Sequence, residues 1–130
     1  MYTIAFDLGG VVFSPDNDIF GGRYLETELT PGIYDAIHYL SKLENVKLII
    51  ISKAYPTNAK KSREILKLYN LDMLFNSIIF CEKNESKAEI ARAMNVNVMI
   101  DDKKEVLDRF DSNIKKIHFD PTRVCDLYNL

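Results

Sequence analysis

The sequence predicts a doubly wound α/β/α domain, a three-layer Rossmann-like arrangement around a five-stranded parallel sheet. Two observations support this fold class. Short apolar runs alternate along the chain with segments of helical character, in the order βαβαβαβαβ. The apolar runs are also too continuous for strands with one face in water, so we expect helices to cover both faces of the sheet.

Each predicted strand is short and rich in β-branched or aromatic residues, as buried parallel strands usually are. The five strands are predicted at residues 2–6, 46–51, 77–81, 96–100 and 114–119. Crossovers between parallel strands are right-handed, and the carboxyl ends of such strands meet at one edge of the sheet. That edge is therefore the predicted functional edge.

Helical patterns fill the intervals between the strands. They cover residues 31–43, 57–69, 86–94 and 103–110, and residues 120–130 are expected to pack as a short final helix. Thr30 is predicted to cap the first helix, with Pro31 at its first position. Ser86 and Glu89 have the spacing of a capping box at the start of the third helix.

Length, composition and charge narrow the functional classes. With 130 residues, 47% hydrophobic and 28% charged, the chain fits one compact soluble domain spanning residues 1–130. The net charge of −2 and the scattered lysines and arginines give no basic face for nucleic acid or an anionic membrane. No apolar stretch approaches the roughly 18 residues of a membrane span. Cys81 and Cys125 show no metal-ligand spacing, and without a secretory signal pattern we expect the cytoplasm.

Polar side chains recur at the predicted functional edge. Asp7 follows the first strand, Ser52 and Lys53 follow the second, Lys87 lies just beyond the third, and Asp101 and Asp102 follow the fourth. Each residue taken singly has an ordinary explanation as a helix cap, a turn former or a solvated first-turn residue. Their recurrence after four successive strands is what predicts a site.

This mixture of side chains suits phosphoryl transfer. Carboxylates on neighbouring strands need a cation between them, and hard oxygen ligands favour Mg²⁺, which also holds a phosphate oxygen. Ser52 can donate a hydrogen bond to the phosphoryl group, and Lys87 can place a positive charge beside it. Gly9 and Gly10 allow a sharp turn with amides directed at the phosphate. Asp7 would be the nucleophile, forming an aspartyl-phosphate that water hydrolyses.

Three stretches resemble the motifs of the haloacid dehalogenase superfamily of phosphohydrolases. "FDLGGVVF" is similar to the first motif, with Asp7 in the nucleophile position, and "KLIIISKA" to the second, with Ser52 as its hydroxyl residue. "ESKAEIARAMNVNVMIDD" is similar to the third and fourth motifs together, with Lys87 as the lysine. The resemblance extends from residue 1 to about 120. It implies that the first strand is central, between the second and the fourth.

The resemblance also implies residue roles. Mg²⁺ would be held by Asp7, Asp101, Asp102 and the backbone carbonyl of Gly9, and the reaction would be hydrolysis of a phosphomonoester. Lys53 and Tyr55 follow Ser52, and loops at this edge carry specificity, so they are candidates for substrate contact.

The sequence departs from the family pattern at two positions. The family's phosphatases usually carry a second aspartate, the general acid and base, where this chain has Gly9. Loss of such a group typically costs about 10²–10⁴ in rate. Either another group replaces it, or the substrate has a good leaving group such as an acyl or aryl phosphate, or turnover is slow. Val11 stands where threonine is common, a milder departure.

No folded cap fits into the two usual insertion points. Residues 14–30 and 53–86 are accounted for by a short loop and by one helix with its connections, so we expect an open site. An open site favours a bulky or polymer-attached phosphoester, although a small metabolite with another subunit as lid is an alternative. The loose segment at residues 14–22 is a further candidate cover. The oligomeric state is unknown.

Three functional interpretations remain open at the level of sequence. The first is a capless Mg²⁺-dependent phosphatase. The second is a regulatory or binding module on the same fold, with Gly9 marking lost turnover; an aspartyl-phosphate receiver would belong to this class. The third, a metal-free dehalogenase, is disfavoured by the Asp101–Asp102 pair. His38 and His118 are interpreted as packing or surface residues, and Cys81 as a small hydrophobe.

Overall fold

A five-stranded parallel sheet forms the centre of the computed structural model, which describes residues 1–15 and 21–130. The strands are β1 (Tyr2–Phe6), β2 (Val46–Lys53), β3 (Ser77–Cys81), β4 (Val98–Asp101) and β5 (Lys115–His118). The α-helices are α1 (Ile33–Ser41), α2 (Pro56–Leu68), α3 (Ser86–Ala93) and α4 (Lys104–Leu107). Three 3₁₀ segments cover Tyr24–Glu26, Asp72–Leu74 and Pro121–Asn129.

The spatial order of the strands is β3-β2-β1-β4-β5, and every neighbouring pair is parallel. β1 lies in the middle, where Ile4 is in register with Leu48 of β2 and with Val98 of β4. The predicted doubly wound fold and the central position of the first strand are therefore confirmed. All five carboxyl ends reach the same edge of the sheet.

Alternate residues of the strands build two hydrophobic cores, one on each face of the sheet. Ile4 and Phe6 of β1 face the core that α1 and α2 cover, together with part of the Pro121–Asn129 segment. Ala5, between them, faces the core that α3 and α4 cover. Because successive side chains of a strand point to opposite faces, both faces of β1 must be apolar, as the continuous apolar run of this strand requires.

The ends of several elements differ from those predicted. β2 continues to Lys53, which pairs with Cys81, and β4 continues to Asp101, which pairs with His118. Ser52, Lys53 and Asp101 are thus the last residues of strands and not the first residues of loops. Pairing with a neighbouring strand decides where a strand ends, and the residue type alone does not indicate it.

The predicted caps of two helices are wrong. α1 begins at Ile33 after Gly32, which has φ of 84°, so Pro31 lies in a turn and Thr30 does not cap the helix. α3 begins at Ser86 itself, and no side chain caps it. Tight turns bring both helices back onto the sheet, and the geometry of those turns sets the first helical residue.

Where a short final helix was predicted, the structure has a 3₁₀ segment with a kink at Arg123, and this segment packs against α1. Val124 and Leu127 are buried in the core beside α1, and the rings of Tyr128 and Tyr39 lie 4.9 Å apart. Within residues 1–15 and 21–130, no helix combines the length and the apolar character that crossing a lipid bilayer would need.

Candidate active site

A cavity of about 480 Å³ opens at the carboxyl ends of β1, β2 and β4. Most of the residues predicted for the site line it: Asp7, Gly9, Gly10, Ser52, Lys53, Lys87 and Asp102. Asp101 lies behind the cavity wall, in contact with Lys87. The strand order explains this convergence, because β1 lies between the strands that carry Ser52 and Asp101.

Lys87 connects the two central strands through a buried ion-pair network. Its Nζ atom lies 3.2 Å from Oδ1 of Asp7 and 2.9 Å from Oδ2 of Asp101. The lysine side chain is only 2% exposed and that of Asp101 is 0% exposed. A buried ammonium group is tolerated only when charged partners surround it, and these two carboxylates fulfil that requirement. Lys87 therefore fixes the position of Asp7 relative to β4.

Asp101 uses both carboxylate oxygens to organise its surroundings. Oδ2 accepts a hydrogen bond from Lys87, and Oδ1 accepts one of 3.0 Å from the backbone N–H of Lys103. The second bond holds the turn between β4 and α4. Asp101 thus anchors Lys87 and the turn before α4. One of its oxygens also lies within 4.8 Å of oxygens of Asp7 and Asp102.

Asp102 carries a buried oxygen for which the described residues offer no partner. Its Oδ1 atom has no hydrogen bond, although a buried carboxylate oxygen in that state is costly. Carboxylate oxygens of Asp7, Asp101 and Asp102 all lie within 4.8 Å of one another. Three carboxylates that each bring an oxygen to one place, with an unsatisfied oxygen on one of them, fit a divalent cation such as Mg²⁺.

The charges of this cluster are unbalanced without a cation. Three carboxylates and one ammonium leave a net charge of about −2 if all four are ionised. The pKa of Asp7 is raised to about 7: burial is the main cause, Lys87 opposes it, and the charges of Asp101 and Asp102 add to it. Burial and the charge of Asp101 also raise the pKa of Asp102. The free energy of unfolding of the metal-free protein should therefore fall as the pH rises from 3.8 toward 7, because the unfolded chain loses the Asp7 proton in this range while the folded protein retains it.

Lys87 stays charged in this setting. Burial lowers its pKa, but the carboxylates of Asp7 and Asp101 outweigh burial, so its pKa lies above the ordinary value of 10.5. The cavity therefore contains a permanent, fixed positive charge beside the predicted nucleophile.

The two glycines after β1 differ in what the structure requires of them. Gly10 has φ of 80°, and a Cβ atom there would lie 2.3 Å from Oδ2 of Asp102. At Gly9 a Cβ atom would meet nothing within 4 Å. Gly10 is therefore needed for the turn and for the approach of Asp102, whereas the backbone leaves room for a side chain at Gly9.

The expected nest of two amides is only half present. The N–H of Gly10 donates to the carbonyl of Phe13 at 2.9 Å, so it does not point to a phosphate. The Gly9 N–H donates to none of the described residues, and Gly9 lines the cavity. The prediction for Gly10 was wrong because the loop closes on itself through this bond. Val11 is fully buried in the core, which explains an apolar residue at this position.

The second strand supplies a buried hydroxyl and an exposed amine. Ser52 is buried and Lys53 is exposed, and both line the cavity. Tyr55, the other candidate for substrate contact, also lines it. The described residues give Lys53 no carboxylate partner, so its charge is available to a ligand.

Sequence reasoning did not identify several lining residues: Phe13, Asn58, Ser62, Asn84 and Lys103. Ser14 and Pro15 also line the cavity, and they belong to the loose segment that the sequence offered as a candidate cover. Asn84 lies in the loop after β3 and Lys103 in the loop after β4. Both are polar residues that follow a strand at the functional edge, and Asp7 was identified on the same ground. Asn58 and Ser62 lie on α2, and nothing in their spacing distinguishes them from surface residues of that helix. The part of the loose segment at residues 16–20 lies outside the described residues.

Neither histidine lines the cavity. Nε2 of His118 lies 3.0 Å from the carbonyl oxygen of Asp102, and His118 is in register with Asp101 of β4. The ring of His38 packs on Tyr34 with centroids 4.4 Å apart. These positions agree with the interpretation of both histidines as packing or surface residues.

The difference between the glycines predicts a difference in stability. Gly10→Ala should lower the free energy of unfolding by about 1–3 kcal/mol, because it strains the backbone and displaces Asp102. Gly9→Ala is the matched control and should change it by less than about 0.5 kcal/mol. Urea unfolding of both variants measures this. Equal losses in the two variants would contradict the described turn.

The unbalanced acidic cluster predicts stabilisation by Mg²⁺. At a concentration 100 times its dissociation constant, Mg²⁺ should raise the free energy of unfolding of the parent by about 2.7 kcal/mol. Asp102→Asn should lose most of this gain, whereas Asp108→Asn, which changes an exposed acid outside the cavity, should keep it. Thermal unfolding with and without Mg²⁺ tests the site, and an unchanged gain in Asp102→Asn would remove Asp102 from it.

Comparison with other proteins gives a match only at the level of structure. The sequence matches no protein-family model and no curated protein. A chain of the Pnkp1/Rnl/Hen1 RNA repair complex superposes with a TM-score of 0.73 at 14% identity, over 91% of this chain and 42% of that one. The present chain thus spans less than half the length of that neighbour.

Two neighbours of similar length bear the same family description. A haloacid dehalogenase-like family hydrolase from Streptococcus pneumoniae has a TM-score of 0.63 at 14% identity, covering 89% of this chain and 83% of its own. A hydrolase of that family from Xanthomonas campestris has a TM-score of 0.58 at 12% identity, covering 98% and 96%. With its sheet order, its flanking helices and these neighbours, the chain has a haloacid dehalogenase-like fold.

Proposed function

We propose that the protein is a Mg²⁺-dependent phosphohydrolase that cleaves a phosphomonoester through an aspartyl-phosphate on Asp7. The observation that carries this proposal is the buried cluster of Asp7, Lys87, Asp101 and Asp102 at the base of an open cavity. Apolar residues would fill this buried space at a lower cost than an ammonium group and three carboxylates do. The charged cluster is therefore better explained by chemistry than by packing.

The residues of the chain have separate roles in this reaction. An oxygen of Asp7 attacks phosphorus, the bond from phosphorus to the ester oxygen breaks, and the bonding electrons leave with that oxygen. Lys87 keeps Asp7 oriented and places positive charge beside the phosphoryl oxygens. Ser52 and the N–H of Gly9 can donate hydrogen bonds to those oxygens. Water then attacks phosphorus, the carboxylate of Asp7 leaves, and inorganic phosphate and a proton are released through the cavity mouth.

Asp7, Asp102 and Asp101 would hold Mg²⁺, with the carbonyl of Gly9 as the further ligand that the family resemblance implies. When bound, this ion neutralises the carboxylates and polarises the phosphoryl group. Because Asp101 already accepts hydrogen bonds on both oxygens, we assign the more direct ligand positions to Asp7 and Asp102.

The charges around the cavity favour a phosphomonoester over a diester. A divalent cation would balance the net charge of −2 on the cluster. Lys53 and Lys103, both exposed and lining the cavity, then supply two further positive charges. A phosphomonoester dianion matches this pair of charges, whereas a diester carries only one negative charge. This complementarity also raises the rate of association.

A binding or regulatory module is the second candidate, and the absence of a side chain at Gly9 favours it. Among the described residues, the only carboxyl groups that line the cavity are those of Asp7 and Asp102. If nothing assists the leaving group, the protein would bind phosphate and metal without useful turnover. The next two experiments separate the two candidates.

The proposed nucleophile predicts a specific loss of activity. The parent should hydrolyse 4-nitrophenyl phosphate only with Mg²⁺, and Asp7→Asn should lose nearly all of this activity because an amide does not attack phosphorus. Asp108→Asn should retain the parent rate. Release of 4-nitrophenol and mass spectrometry of a peptide phosphorylated at Asp7 are the measurements. Equal rates in parent and Asp7→Asn would exclude Asp7 as nucleophile, and Mg²⁺ binding without any turnover would support the regulatory module.

The space at Gly9 predicts a gain of activity. Gly9→Asp should restore a proton donor, and it should accelerate hydrolysis of alkyl phosphates by about 10²-fold or more, but aryl phosphates much less. Gly9→Asn, which has the same size without the acid, is the control and should give no such gain. Initial rates with glycerol phosphate and phenyl phosphate measure the effect. If the parent, Gly9→Asp and Gly9→Asn all have the same ratio of alkyl to aryl phosphate hydrolysis, the missing side chain at Gly9 does not limit turnover.

A further inference from the structure

We propose that the leaving group of the substrate is an aromatic alcohol and that its ring packs against Tyr55 at the mouth of the cavity. This inference rests on the proposed function and specifies its substrate class. It combines two observations on the described cavity lining. No carboxyl or imidazole group there is placed to protonate a leaving group, and the aromatic side chain of Tyr55 lies at the mouth.

The first step concerns the proton that an alcohol leaving group needs. Besides Asp7 and Asp102, the described cavity lining contains neither a carboxyl group nor an imidazole. Asp7 becomes the phosphoryl acceptor and Asp102 faces the acidic cluster, so neither is placed to protonate the departing oxygen. An alkoxide, whose conjugate acid is about as weak an acid as water, leaves poorly under these conditions. A phenolate, with a pKa of about 10, leaves without protonation.

The atoms and electrons balance without an added reactant. The bond between an Asp7 oxygen and phosphorus forms while the bond between phosphorus and the aryl oxygen breaks. The electron pair stays on the aryl oxygen as a phenolate, which takes a proton from solvent after release. Water then cleaves the aspartyl-phosphate, so the products are the phenol and inorganic phosphate.

The second step concerns Tyr55, which lines the cavity and is 57% exposed. It is the last residue before α2, and Pro56 is the first residue of that helix. A residue before proline is restricted to extended conformations, and Tyr55 has φ of −73° and ψ of 162°. The backbone therefore sets the direction in which the side chain leaves the chain at the cavity mouth, two residues beyond Lys53.

The surroundings of Tyr55 favour a flat apolar ligand over a purely polar one. Phe13, Pro15 and Ala54 line the same cavity and add apolar surface to its walls. Other exposed tyrosines of the described chain, such as Tyr34 and Tyr39, lie on α1 and do not line the cavity. A ring between such walls gains by stacking and by burial of apolar area.

The experiment compares aryl and alkyl esters in matched variants. The substrates are phenyl phosphate, a phosphotyrosyl peptide, glycerol phosphate and a phosphoseryl peptide of the same sequence. In the parent, the two aryl esters should have kcat/KM values at least about 100-fold above their alkyl counterparts. Tyr55→Ala should lower kcat/KM for the aryl esters roughly 3- to 10-fold, mainly through KM, and affect the alkyl esters less. Tyr55→Phe keeps the ring and should keep the preference for aryl esters, and the control Tyr34→Ala should behave like the parent.

A binding measurement supplies a readout that does not depend on turnover. Phenylphosphonate and propylphosphonate are stable analogues of the two classes, and calorimetry gives their dissociation constants. Phenylphosphonate should bind the parent and Tyr55→Phe several-fold more tightly than propylphosphonate does, and Tyr55→Ala should remove this difference. A preference for the phosphotyrosyl peptide over phenyl phosphate would identify a protein side chain as the source of the ring, and the opposite preference a small molecule.

The outcomes distinguish the two levels of the proposal. If no ester is hydrolysed, the proposed function fails. If alkyl and aryl esters react equally well in the parent, or if Tyr55→Ala affects both classes equally, the aromatic substrate class is wrong while the phosphohydrolase remains. If Tyr55→Phe loses activity toward alkyl esters, the hydroxyl of Tyr55 is acting as an acid, and this too overturns the role of the ring as a platform.

Discussion

The interaction on which the site depends is the buried contact of one ammonium group with two carboxylates. Lys87 reaches from the start of α3 to Asp7 after β1 and to Asp101 at the end of β4. The ammonium group of Lys87 remains charged in this buried position only while both carboxylates are beside it. In turn, burying the two carboxylates is tolerable only while the ammonium group is present. The three residues therefore specify one arrangement of α3, β1 and β4, and the cavity is built around it. Stability and chemistry depend on the same contacts here.

The acidic cluster and the glycine turn depend on each other in a similar way. Asp102 comes close to Gly10 because no Cβ atom stands between them, and the turn at Gly10 is fixed by its hydrogen bond to Phe13. Asp102, which belongs to the acidic cluster, thus carries a buried oxygen that finds no partner within residues 1–15 and 21–130. Such an arrangement is costly in an isolated protein, and a bound cation would remove the cost. The metal-free protein is thus least stable locally at the place where we expect a divalent cation to bind.

The sequence predicted the fold and most of the charged residues that line the cavity because two strong patterns agreed. Continuous apolar runs required strands buried on both faces, and polar residues after four of those runs required one common edge. Caps were predicted less well, since Thr30 and Ser86 have the right residue type but lie in turns whose geometry depends on tertiary packing. The internal bond of Gly10, and the inward direction of Asn58 and Ser62 on α2, are likewise set by packing that spacing does not encode. The order of the strands came from family resemblance, because periodicity carries no information about which strands are neighbours.

The central position of β1 has a consequence for the assembly of the acidic cluster. β1 is paired on one side by β4, and Thr3 and Asn97 exchange hydrogen bonds across that boundary. Asp7 and its partners Lys87 and Asp101 are far apart in the sequence, so only the packed tertiary structure brings them together. Until α3 and β4 pack beside β1, Asp7 has neither its ammonium partner nor its companion acids.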